Sequence, residues 1–142
     1  MVEAYDATTS AVASRLVNMS TRARSGAGDD VLILGVVIAG NASQTLLIRG
    51  IGPTLGAFGV TDALSDPILR VFRGGTLLVE NDDWQGWGTL ATLHSQVGAF
   101  ALPGGSADAS LAITLAPGAY TIHVLGKGGS EGVALAEIYE VP

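Results

Sequence analysis

Asn81-Asp82-Asp83 sets three oxygen-bearing side chains in a row at the end of an alternating apolar segment, with Glu80 before them and Asp66 upstream. A hard cation such as calcium takes roughly six to eight oxygen ligands, which clustered carboxylates and backbone carbonyls supply. Asp66, Asn81, Asp82 and Asp83 are therefore candidate calcium ligands, although no EF-hand spacing is present. The same residues also make an ordinary turn, in which Asn and Asp bond their own backbone without any ion. Trp84 and Trp87 follow, flanking Gln85-Gly86. If both rings are exposed, they can stack on sugar faces while Asn81, Asp82 and Gln85 bond hydroxyls. Trp84, Gln85 and Trp87 are thus the candidate ligand-binding residues, with a polysaccharide as partner. An exposed aromatic patch anchors a protein partner equally well. The bland outcome is that one or both rings cap an open end of the core.

The remaining chemistry is thin. His94 and His123 are the only histidines and there is no cysteine, so a zinc site lacks its usual ligands. No G-x-S-x-G elbow occurs and neither histidine has an acid close by in sequence, so no nucleophile, base and oxyanion set can be named. An enzyme is the least supported class. The glycines of Gly50-Ile51-Gly52-Pro53-Thr54-Leu55-Gly56 and of Gly126-Lys127-Gly128 lack phosphate-loop spacing and read as turns. Asn18-Met19-Ser20 and Asn41-Ala42-Ser43 match the glycosylation pattern; Asn18 falls in a strand, and Asn41 in a turn is the better acceptor. Arg15, Arg22, Arg24, Arg49, Arg70 and Arg73 read as a solvated face. Arg49 has the alternative of pairing with Asp62 or Asp66 to pin the glycine-rich loop.

The elements that would position these groups are strands. Of 142 residues, 48% are hydrophobic, 14% are charged and 20 are Gly, which fits short strands joined by tight turns. Residues 31–39 form an uninterrupted apolar run, read as a strand buried on both sides. Gly40-Asn41-Ala42-Ser43 then turns the chain into residues 44–49, a hairpin signal. Residues 67–73 and 76–80 alternate around Gly74-Gly75, a second hairpin. Residues 109–115 and 119–125 around Ala116-Pro117-Gly118 give a third, and residues 133–139 a last strand. Residues 14–21 read as an early strand, and one helical turn follows Pro53. Leu90, Leu93, His94 and Val97 have helical spacing. Eight or nine such strands and one short helix indicate an all-β, antiparallel sandwich of jelly-roll or immunoglobulin-like type.

The two ends of the chain nearly repeat each other. Val2-Glu3-Ala4-Tyr5-Asp6 matches Ala136-Glu137-Ile138-Tyr139-Glu140 in the order small or apolar, Glu, apolar, Tyr, acid. The C-terminal copy completes a strand, so the N-terminal one reads as the last strand of a preceding unit. Residues 1–10 are accordingly a joining strand and linker, and residues 11–142 the sandwich domain. Val2, Glu3, Ala4, Tyr5 and Asp6 would add to the sheet of a neighbouring copy. The net charge of -6 argues against nucleic acid or an anionic membrane as partner. The longest apolar run is far too short to span a bilayer.

Asp66-Pro67-Ile68-Leu69-Arg70-Val71-Phe72, the hairpin into Asn81-Asp82-Asp83, and Leu115-Ala116-Pro117-Gly118-Ala119-Tyr120-Thr121-Ile122-His123-Val124 resemble bacterial pre-peptidase C-terminal-like β-sandwiches. Leu16-Val17-Asn18-Met19-Ser20-Thr21, Leu47-Ile48-Arg49-Gly50-Ile51-Gly52-Pro53, Asn81-Asp82-Asp83-Trp84 and Gly132-Val133-Ala134-Leu135-Ala136-Glu137-Ile138-Tyr139 are similar to an uncharacterised module repeated in large secreted bacterial proteins. These resemblances imply an extracellular, non-catalytic repeat unit and raise the expectation of calcium on acidic loop residues. The expected function is structural or adhesive: head-to-tail association by strand addition, as a tandem repeat or as a fibre or surface-layer subunit. The alternative is a carbohydrate-binding module using the aromatic-acidic loop. No cofactor is expected beyond calcium.

Overall fold

A computed structural model describes residues 17–142. They form two four-stranded antiparallel sheets packed face to face. The strands are β1 (Asn18–Ser25), β2 (Leu32–Ile38), β3 (Gln44–Ile51), β4 (Pro67–Arg73), β5 (Thr76–Asn81), β6 (Ala109–Leu115), β7 (Gly118–Gly126) and β8 (Gly132–Glu140). One sheet has the order β1-β8-β3-β6 and the other β2-β7-β4-β5. This order is that of a jelly roll rather than an immunoglobulin sandwich. A single α-helix, α1 (Gly88–Gln96), lies between β5 and β6, and a 3-10 helix covers Pro53–Phe58.

The pairing departs from two of the expected hairpins. Only β4 and β5, around Gly74-Gly75, are neighbours both in sequence and in a sheet. β2 pairs with β7, and β3 with β6 and β8. The turns at residues 40–43 and 116–117 therefore carry the chain from one sheet to the other. Burial explains the separation. From Leu46 to Ile51 every residue of β3 is buried, on both faces. β2 instead alternates, with Leu34 and Ile38 buried and Gly35 and Val37 exposed. A strand needing cover on both sides cannot extend a sheet whose outer face is open to water. The double-sided burial expected for residues 31–39 thus belongs to β3. Among the described residues the early strand covers Asn18–Ser25 and is paired along its length with β8, while residues 14–16 of the expected strand lie outside the described residues.

Between the sheets lies one core, with Leu34, Ile48, Leu69, Val71, Ile122 and Val124 all fully buried. A second apolar cluster covers the outer face of the β1-β8-β3-β6 sheet. There Leu47, Ile51 and Tyr139 meet Leu55, Trp84, Leu90 and Leu102 from the 3-10 helix, α1 and adjoining loops. Among the described residues that cluster includes none from β2, β4, β5 or β7. One sheet is covered on both faces and the other is bare outside.

Gly52 lets the chain leaving β3 lie against the loop that leads into β4. A Cβ there would lie 2.0 Å from the Leu64 carbonyl oxygen, a backbone atom that cannot swing aside. Gly52→Ala is expected to cost about 2–4 kcal/mol in urea unfolding, as backbone strain with loss of packing does. A change below about 0.5 kcal/mol, the level of an ordinary surface substitution, would show that the close approach is not structurally required.

Candidate functional site: the acidic and aromatic loop

The β5 exit is shaped by side chains that bond backbone. Asn81 donates from Nδ2 to the Asp83 carbonyl (3.0 Å), and its Oδ1 accepts from the Ser110 N–H at the start of β6 (2.8 Å). With both ends of its amide engaged, Asn81 holds the loop in place. Asp66, Asp82 and Asp83 are then brought together, one carboxylate oxygen from each lying within 4.8 Å of the others. Glu80 is elsewhere, bonded to Arg70 at 2.5 Å. Lys127, just after β7, reaches into the acidic group. Its Nζ lies 2.5 Å from Asp82 Oδ2 and 3.7 Å from Asp66 Oδ2. The hydrogen bond to Asp82, with the charges of Asp66, Asp82 and Asp83, raises the lysine pKa above its ordinary value. An ammonium in contact with two of the three carboxylates offsets part of the charge that a bound cation would offset.

The two tryptophans part company. Gln85 (φ 56°) and Gly86 (φ 69°) both take the left-handed conformation, turning the chain sharply between them. Trp84 is buried, its Nε1 donating to the Pro103 carbonyl (3.0 Å) and to Ser106 Oγ (3.2 Å). Trp87 is 56% exposed at the start of α1. A two-ring sugar platform is therefore not formed, and Trp84 caps the second cluster instead.

Under Trp84 lies a polar layer that includes Asp108, a residue the sequence did not single out, and His94. Asp108, fully buried, accepts from Gly52 N (2.9 Å), Ser106 Oγ (2.7 Å) and the Thr54 hydroxyl, so it holds the start of the 3-10 helix. His94 is buried against the Trp84 ring, centroids 5.5 Å apart, and bonds Ser110 Oγ through Nε2 at 2.9 Å. Ser and His thus meet in space, but both are buried and the neighbouring carboxylate of Asp108 is spent on Gly52, Thr54 and Ser106. His123 faces outward on β7, half-buried beneath Phe72.

Arg49 overturns its solvated reading. It is fully buried on β3, directly across from Glu137 on β8, with Nε 3.1 Å from Glu137 Oε2. Its Nη1 donates to the Phe100 carbonyl (2.8 Å), and the guanidinium lies 4.3 Å over the Phe100 ring. Tyr139 donates to Glu137 Oε1 (2.9 Å), and burial followed by that carboxylate pushes the phenol up to about 12. Asp62, the expected partner, instead takes Arg24 at the surface (3.4 Å), and Asp66 takes Lys127. One signal was available: Arg49 interrupts the run Leu46-Leu47-Ile48-Arg49-Gly50-Ile51, and a charge inside a continuous apolar strand needs a buried partner.

Two outcomes follow from these contacts. Burial, and then the charge of Arg49, lower the His94 pKa from 6.5 to about 4. The folded chain therefore binds fewer protons than the unfolded chain between these values. Stability is at its full level above pH 6.5 and falls as pH drops towards 4, by about 3 kcal/mol from this group. His94→Gln, which still bonds Ser110 but does not titrate, should lose that part of the slope in urea unfolding across pH. An unchanged slope would remove His94 as its source. In the acidic cluster, millimolar calcium is expected to leave the melting temperature of the parent unmoved. Lys127→Ala should melt lower and regain stability with calcium. A calcium shift in the parent would mean that the ion displaces the lysine.

No family model matches this sequence, and no curated protein is detectably similar to it. A solved structure is similar in fold: the pre-peptidase C-terminal domain of a collagenase from Bacillus anthracis, with a TM-score of 0.52. The match spans 86% of this chain and 89% of that one at 10% sequence identity. The chain is an all-β sandwich with the fold of a pre-peptidase C-terminal domain, as its turn and strand motifs resemble.

Proposed function

We propose that this chain is a non-catalytic structural or adhesive module of a secreted bacterial protein, joined head to tail to a neighbouring repeat or copy by β-strand addition. The fold of the collagenase's accessory domain supports the class. The observation that carries the joining role is the work done by Glu137 and Tyr139. On β8 these two side chains share a face and together complete the buried Arg49. The same Glu-x-Tyr spacing recurs at Glu3 and Tyr5, followed by the acid Asp6. Val2, Glu3, Ala4, Tyr5 and Asp6 lie outside the described residues. They carry the side chains of a last strand such as a preceding repeat would have; in this chain that position is filled by its own β8, between β1 and β3.

Calcium at Asp66, Asp82 and Asp83 is a secondary reading, in which the ion would take the place Lys127 fills. Among the described residues, no helix is long and apolar enough to cross a membrane. Sugar binding has Trp87 and Gln85 at its disposal, with Trp84 withdrawn into the core.

Removal of residues 1–8 tests the joining role. Electron microscopy of the intact chain should show linear assemblies, and the shortened chain should show none while melting within a few degrees of the parent. Assemblies that survive the truncation unchanged would refute the role assigned to residues 2–6.

A further inference from the structure

A sheet edge presents unpaired N–H and C=O groups, and proteins ordinarily guard such edges with charge, proline, bulges or cover. The four edges of this sandwich differ in that respect. β1 carries Arg22 and Arg24. β6 has its Ser110 N–H already bonded by Asn81, and α1 packs against it. β5 carries Glu80 and pairs with β4 across a register shift between Val71 and Phe72. β2 has none of these devices. Leu32-Ile33-Leu34-Gly35-Val36-Val37-Ile38 contains no charge and no proline, and pairs with β7 in unbroken register along its whole length. No strand among the described residues lies on its other side, and Val37 is 69% exposed.

We infer that β2 is a self-association edge, at which two copies of the chain pair antiparallel about Gly35 and join two four-stranded sheets into one. The strand is complementary to itself in that register. Leu34 falls opposite the partner's Val36, Ile33 opposite the partner's Val37, and Gly35 opposite the partner's Gly35. Residues 32, 34, 36 and 38 face the core side and residues 33, 35 and 37 the outer side, so the two-fold keeps each set on its own face. A slip by one residue would set core-side chains against outer ones. No charge is desolvated in the pairing, and a second copy supplies the same apolar pattern that the edge presents. An edge contact of this length is small, and the dimer is concentration-dependent. It is a separate contact from the one assigned to residues 2–6.

The chain has no cysteine, which makes a single introduced thiol a clean probe of register. A Cβ at Gly35 meets nothing within 4 Å, and the same is true of Gly75 in the exposed β4–β5 turn. Directly opposed residues of an antiparallel pair have Cα atoms about 4.5–5.5 Å apart, within disulfide reach. Under mild oxidation of the full chain, Gly35→Cys should form a covalent dimer on a denaturing gel at least about tenfold faster than Gly75→Cys, since only the former is held in register. Val37→Lys should weaken dimerisation about tenfold or more in sedimentation equilibrium by guarding the edge. Truncation of residues 1–8 should leave both results unchanged. Equal oxidation rates at residues 35 and 75, or a parent chain that stays monomeric to millimolar concentration, would overturn the inference. So would association lost on truncation but untouched by Val37→Lys, which would assign the contact to the N-terminal segment alone.

Discussion

Arg49 has no contact with solvent, and a guanidinium in that position has to find its counter-charge inside the protein. Glu137 meets it from the adjacent strand, Tyr139 bonds the same carboxylate, and Phe100 supplies both a carbonyl and a ring. The ion pair at 3.1 Å is a charge contact more than an aligned hydrogen bond, since Arg49 Nε has no acceptor in good geometry. Removing one member of such a pair costs about 3–5 kcal/mol, because the survivor stays buried and uncompensated. The requirement reaches beyond the pair. It fixes β3 against β8, draws the loop at residue 100 over the sheet, and thereby closes the layer that hides Trp84 and His94. The charge of Arg49 also helps keep His94 neutral.

The topology reads as one long antiparallel ribbon folded over on itself. β4 pairs with β5, β3 with β6, β2 with β7 and β1 with β8, so Gly74-Gly75 is the tip of the ribbon. Period-two alternation and glycine turns made the strands and the sandwich class legible, and helical spacing at Leu90, Leu93 and His94 located α1. The partners of each strand were not legible in the same way. A short polar turn looks alike whether it reverses within a sheet or steps between sheets. Only the double-sided burial of β3, seen against the alternation of β2, separates the two cases.

The site was partly legible for a related reason. Proximity in sequence exposed the cluster at Asp82 and Asp83, and a strand start put Asp66 near them. Lys127 arrives from a different part of the chain, and sequence order gives no hint that its ammonium lies among those carboxylates. Asp108 is similar: a lone acid before an apolar strand looks like a surface residue until the 3-10 helix at Pro53 is brought over it. Trp84 and Trp87 are three residues apart and equally apolar. The left-handed pair Gln85-Gly86 between them decides which one goes inside.

Asn18 stands opposite Tyr139, so the chain enters and leaves the sandwich at one pole, along neighbouring strands. Tension applied through Val17 and Glu140 would open the β1–β8 ladder from that pole, breaking its rungs in succession. Strands pulled from opposite poles would resist in shear, with all rungs strained together. A module threaded into a string by these two points would hang beside the line of force and yield readily, acting as a reserve of extensible length.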